Sequence, residues 1–272
     1  MNEFTFYSQK WTFDIVKENY CKFHIQIHDV IENQGIDGDG TKTLEILEWL
    51  YGKIGVIDEY HAFPCAAKSK QLAIMKWLKT KGVPMSHALL RSAEGGDLEQ
   101  IQWLLNNGCE RDENTIACAV PNRVVVEFFL SKGFTLNSLA MANMSEKGTF
   151  EDMQWLQSLG CPIEESSVVR LIGFFQTTDM TAEDLQKVEW LLNQITQTSE
   201  SLSRLAARRG DLALLKLLKV KKCKFDPGTF KYALERDKID NVKWLCEIKC
   251  PKGKNYMKNA KSEEMRAFLS TI

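Results

Sequence analysis

The sequence predicts an all-α fold, a helical solenoid of about nine two-helix repeats over residues 41–272 behind an atypical N-terminal cap over residues 1–40. Three observations carry that expectation. Large residues recur in one phase, at Trp49, Trp77, Trp103, Phe128, Trp155, Trp190, Leu217, Trp244 and Phe268, with successive spacings of 28, 26, 25, 27, 35, 27, 27 and 24 residues. Six of the seven tryptophans share this phase, which chance placement would not produce. Five residues beyond the anchor stands Gly82, Gly108, Gly133 or Gly160, where a helix ends in a left-handed residue that glycine adopts without a Cβ penalty. Upstream, Asp97, Asn122, Asp184 and Asp211 sit where a side chain accepts orphan amide protons at a helix start. A two-helix repeat cannot bury its apolar stripe alone, so neighbours must stack.

Taken in order, residues 1–40 do not follow the repeat, and their aromatics Phe4, Phe6, Tyr7, Trp11 and Phe13 are suited to covering the first repeat's open face. Phe23, Ile25 and Ile27 alternate with His24, Gln26 and His28, the pattern of a half-buried strand. Cys21, His24 and His28 could supply three zinc ligands, but a structural site closes with four and no fourth is nearby, so the strand is preferred. The stretch from Gly35 to Thr41 half matches a calcium loop, with Gly35 and Ile46 at the two positions that need carboxylates. It also half matches a phosphate loop, with Lys42 one residue late. A plain turn into the first repeat is the better reading.

In each repeat, small residues such as Ala66-Ala67, Ser92-Ala93, Ala117-Cys118 and Ala206-Ala207 suit a first helix whose backbone approaches its neighbour closely. A second, amphipathic helix follows, as in Leu98, Ile101 and Leu105. Its aromatic anchor is expected to be a core wedge. After the helix-ending site come Cys109, Cys161, Cys223 or Cys250, then Pro84, Pro162 or Pro251, which stops the helix from resuming. These cysteines are at least one repeat apart, too far for a disulfide, and act as small hydrophobes. Spacing stretches to 35 across an irregular insertion near 173–183, after which Thr181 and Asp184 offer a capping start.

The stretches SAEGGDLEQIQWLLNNGC and LAARRGDLALLKLLKVKKC resemble the two-helix core of the ankyrin repeat: a small-residue pair, glycine with a polar residue, a leucine-rich second helix, then a helix end. The family's Thr-Pro-Leu-His signature is absent, and the period of about 27 falls short of the family's 33. The resemblance therefore implies shortened or absent β-fingers. Short, tryptophan-rich units ending in Gly-Cys-Pro are similar to the divergent ankyrin arrays of amoebae and their giant viruses, which implies a protein partner, a host protein if the array is viral.

Composition excludes several classes. With 44% hydrophobic and 26% charged residues the chain is not disordered, and no stretch approaches the roughly 18 apolar residues of a membrane span. The N-terminus lacks the basic start and apolar core of a secretory signal, and eight cysteines are too sparse for a disulfide scaffold, which points to the cytoplasm or nucleus. Neither a nucleophile elbow, a dinucleotide loop nor a metalloprotease helix occurs, so no enzyme activity, cofactor or metal is expected.

The net charge of −1 hides a division. Residues 1–200 hold 17 Lys or Arg against 28 Asp or Glu, whereas residues 201–272 hold 18 against 8. Arg204, Arg208 and Arg209 fall in a first helix, the layer that lines the concave side of an ankyrin stack, and Lys231 and Arg236 recur in the next. These five are the candidate partner-binding residues, suited to an acidic protein segment because guanidinium forks match carboxylates. The alternative for the same basic end is a nucleic acid or an anionic lipid surface.

Overall fold

The computed structural model describes residues 11–19, 21, 25–34, 41–173 and 180–271. Among them are eighteen α-helices, one short 3-10 helix and no strand. The chain divides into two compact units, residues 1–135 and 136–272.

In the first unit, α1 (Phe13–Asn19) precedes four helix pairs: α2 (Ile27–Gln34) with α3 (Thr41–Ile54), α4 (Ala62–Lys68) with α5 (Leu72–Thr80), α6 (Ala88–Gly95) with α7 (Leu98–Asn106), and α8 (Thr115–Ala119) with α9 (Arg123–Ser131). The first members of these pairs pack in sequence, α2 on α4, α4 on α6 and α6 on α8. Ala66, Ala67, Ser92, Ala93 and Ala117 are buried there, and their small side chains let the backbones approach. Trp11 is buried and its amide donates to Asn33 Oδ1 at 2.8 Å, while Phe13 meets Trp49 edge-on at 5.8 Å. Phe4, Phe6 and Tyr7 lie outside the described residues.

The second unit repeats the plan with α10 (Ser138–Lys147) and α11 (Phe150–Ser158), α12 (Glu165–Ile172) and α13 (Ala182–Gln194), α14 (Ser201–Arg209) and α15 (Leu212–Val220), and α16 (Pro227–Arg236) and α17 (Ile239–Glu247). A 3-10 turn at Tyr256–Asn259 and α18 (Glu263–Leu269) close it. Again the first members pack consecutively, α10 on α12, α12 on α14, α14 on α16. Ser145 Oγ bonds the Ser167 carbonyl across one such junction, and Ser203 Oγ the Lys224 carbonyl across another. Of the insertion near 173–183, residues 174–179 lie outside the described residues.

The helix ends follow the glycine expectation. Gly82, Gly108, Gly133 and Gly160 hold φ between +78° and +82°. The next amide reaches back to the helix, Val83 to Leu78, Cys109 to Leu104, Phe134 to Phe129 and Cys161 to Leu156, the bond of a Schellman end. Cys109, Cys161 and Cys250 each send Sγ towards a carbonyl 24 residues upstream, on Met85, Asn137 and Asp226, at 3.4, 3.4 and 3.6 Å. An offset this constant shows the same local geometry recurring in both units.

Three expectations need correction. The strand around Ile25 and Ile27 does not form: Ile27 begins α2, and Phe23 and His24 lie outside the described residues. Ile27, Val30 and Ile31 make a buried i, i+3, i+4 stripe, and Asp29 Oδ2 accepts the Gln26 amide at 2.8 Å, so helix periodicity and a cap outweigh a short alternation. Asp184 is not the residue that begins its helix: Thr181 is, with Asp184 completing a capping box. The phased aromatics are also not the innermost core. Of the nine anchors only Trp77 is buried, whereas the residue that follows each anchor, Leu50, Leu78, Leu104, Phe129, Leu156, Leu191, Leu218, Leu245 and Leu269, is at most 2% exposed. The other eight lie half-buried beside that stripe, with Lys53, Lys79 and Lys132 over Trp49, Trp103 and Phe128, and buried Trp77 donates Nε1 to Glu48 at 2.6 Å.

Candidate functional site

Helix α14 begins at Ser201 and ends at Gly210, whose φ of +80° and close approach to Arg236 Cγ leave no room for a Cβ. Four-residue spacing puts Arg204 and Arg208 on one face of it, with Leu205 between. Opposite stands α16, begun by Asp226, which caps its own helix by accepting the Thr229 amide at 2.9 Å. Between them Ser201, Arg204, Leu205, Arg208 and Tyr232 line an open groove of about 210 Å³.

The groove has a built wall. Arg204 grips Asp226 through two nitrogens, Nε to Oδ2 at 3.0 Å and Nη2 to Oδ2 at 2.5 Å. Gly228 allows this, because a Cβ there would lie 2.8 Å from Arg204 Nε. Burial alone would raise the Asp226 carboxyl, but the bonds from Arg204 and Thr229 outweigh it and hold the group at about 2. The Asp226 partnership in turn raises the Arg204 guanidinium further above its ordinary value. Arg208 is exposed and lies over the Tyr232 ring at 5.8 Å from its centre. The result is two guanidiniums and a phenol around one depression, a donor-rich lining for carboxylates.

The five candidates therefore separate. Arg204 and Arg208 share the groove. Arg209 does not: it is 5% exposed and donates Nη1 to the Ile172 carbonyl at 2.7 Å, closing the end of α12. Arg236 repeats this one step on, Nε to the Arg209 carbonyl at 3.2 Å. Both arginines cap the preceding first helix, where cations are favoured at the negative pole of the dipole. Lys231 is exposed, outside the groove lining, and pairs with Glu235 at 3.6 Å.

Sequence reasoning missed a second depression, in the first unit. Pro84, Met85, His87, Leu90, Glu110 and Arg111 are among the residues lining a space of about 430 Å³ between the loops that follow α5 and α7. Arg111 is held there, donating to the Lys132 carbonyl at 3.1 Å and lying over Phe134. The signal that could have found it is the run Glu110-Arg111-Asp112-Glu113 one repeat beyond Pro84.

His28, Asp58 and His61 come together as spacing alone did not show. His61 Nδ1 is 2.8 Å and His28 Nδ1 3.7 Å from Asp58 Oδ2. Burial opposes ionisation of Asp58, but hydrogen bonds from the His61 ring and from the Tyr60 and His61 amides hold its carboxyl below the usual range. Among the described residues no three such ligands are arranged to hold a metal ion. Burial pushes the Cys161 thiol to about 11 and, with nearby Asp226, the Cys250 thiol to about 12. Neither is a thiolate nucleophile near neutral pH. Among the described residues no helix is long and apolar enough to cross a membrane. No protein-family model matches the chain, and no curated protein matches it.

Proposed function

We propose that the chain is a non-enzymatic interaction scaffold, an array of about nine ankyrin-like two-helix repeats, that holds an acidic protein segment against its first-helix layer. The observation that carries this reading is the groove between α14 and α16, where Arg204, Arg208 and Tyr232 converge. Arg204 is fixed by Asp226 and so keeps its remaining donors at a defined angle, while Arg208 presents a planar fork beside an aromatic ring. The 24-residue bonding offset and the Schellman ends support the repeat reading. Eight free cysteines suit a reducing compartment, the cytoplasm or the nucleus.

The test uses peptides rich in Asp and Glu, titrated into the wild-type chain and into Arg208→Glu. Reversal of an exposed charge should weaken binding about tenfold or more, as for groups at the centre of a charged contact. Circular dichroism should be unchanged. Equal affinity in both proteins, or no affinity for any acidic peptide, would remove the groove as the docking point.

A further inference from the structure

The C-terminal repeats carry a second basic feature that the groove does not use. At the helix-ending position, glycine in four earlier repeats, stand Lys222 and Lys249, with φ of +59° and +55°. The next amides keep the same bonds, Cys223 to Leu218 and Cys250 to Leu245, so the turn is conserved and only the side chain differs. A residue with a Cβ is disfavoured there, and strained backbone of this kind clusters where a side chain has work to do. Both ammonium groups are exposed, and among the described residues no carboxylate pairs with either, whereas neighbouring Lys221 and Lys224 have Glu189 and Glu200.

The surroundings add lysines backed by aromatic rings. Phe225, in the loop after α15, meets Trp244 of α17 at 6.1 Å, and Phe230 of α16 meets Tyr256 after α17 at 5.6 Å. Lys219 stands over Phe225, and Lys252 over both Phe230 and Tyr256. Attraction to the ring faces restrains both ammonium groups. The cations are almost all lysine: residues 219–261 hold twelve Lys and one Arg against five Asp or Glu, and that Arg236 caps a helix. Arginine forks suit carboxylates and phosphates alike, whereas lysines act as compact, rotatable point charges that neutralise phosphates without fixing their angle.

From the two lysines at glycine positions and the aromatic-backed lysines beside them, we infer that this loop edge binds the phosphate backbone of a nucleic acid, without base readout. None of these lysines lines the Arg204–Arg208 groove, and the inference stands or falls apart from it.

The position supplies its own test. Lys222→Gly with Lys249→Gly restores the residue the backbone prefers, so the double variant should fold at least as well, with an unfolding midpoint about 2–4 °C higher. Binding of a fluorescent single-stranded RNA is followed by anisotropy between about 50 and 200 mM salt. The expected result is a steep salt dependence in the wild type and, in the double variant, a slope lower by about 1.4, with affinity reduced about fivefold or more. Lys252→Gln with Lys254→Gln should lower the slope likewise, and Arg208→Gln should leave it unchanged. Failure of the wild type to bind RNA at the lowest salt overturns the inference, as does an unaltered slope in both lysine variants. Binding to phosphatidylserine vesicles without binding to RNA would also overturn it, in favour of a membrane.

Discussion

Asp226 joins two tasks in one side chain, as cap of α16 and as partner of Arg204, which lines the groove. Its carboxyl titrates at about 2 in the folded chain, below the ordinary value near 3.9. A depressed acid of this kind stabilises the fold above its unfolded pKa, and that contribution disappears as pH falls from about 4 through about 2. Asp226→Asn keeps a capping oxygen but ends the ion pair, so its unfolding midpoint at pH 7 should fall about 2–4 °C below wild type. The difference should narrow as pH falls towards 2, where about half of Asp226 is protonated, and close in stronger acid. A gap that persists in acid would assign the loss to the cap. The buried thiols give a second residue-scale expectation: at pH 8, iodoacetamide should modify exposed Cys21 well before buried Cys161 or Cys250, which should react only on unfolding. Mass spectrometry of partially labelled protein reads the order directly.

At the scale of one helix, the repeat divides labour between neighbouring positions that look equivalent in sequence. Trp103 is the residue that advertises α7, yet Leu104 is the one with no exposure. Leu104→Ala should cost about 3 kcal/mol, as truncations in a closed core do, and Trp103→Ala less, because part of the indole already meets water and Lys79. Denaturant titration of both variants decides it, and the reverse order would restore the indole as the wedge. The helix end has a matching cost. Gly108 has φ of +78° with nothing near a built Cβ, so Gly108→Ala should lose about 1 kcal/mol through backbone conformation alone. The glycines and the caps at Asp97, Asn122 and Asp211 were legible because each is set by a local backbone rule. The true core was not, since a large aromatic at the edge of a stripe and a leucine inside it carry the same periodic signal. The short alternation before α2 failed for a related reason: ending at His28, it stopped before Val30 and Ile31 revealed the helix.

Across the whole chain, length and phase made an all-helical plan readable, while the site was only half readable. Arg204, Arg208 and Arg209 were legible as members of one first helix, but no pattern in the sequence says that Arg209 turns inward to the Ile172 carbonyl. That choice depends on a neighbour 37 residues upstream, across a variable connection. The same bond exposes how the second unit holds together. Each first helix packs on the next, and Arg209 and Arg236 tie consecutive helix ends, so stability passes between neighbours and not through one shared centre. Damage should then stay local. Leu245→Ala opens a cavity in α17 worth about 3 kcal/mol. In hydrogen exchange, the amides of residues 227–269 should lose protection first and most, while those of 62–131 keep wild-type rates. A uniform rise along the chain would mean that the helix pairs unfold as one cooperative body, and the stacked-repeat reading would have to be given up together with the docking layer built on it.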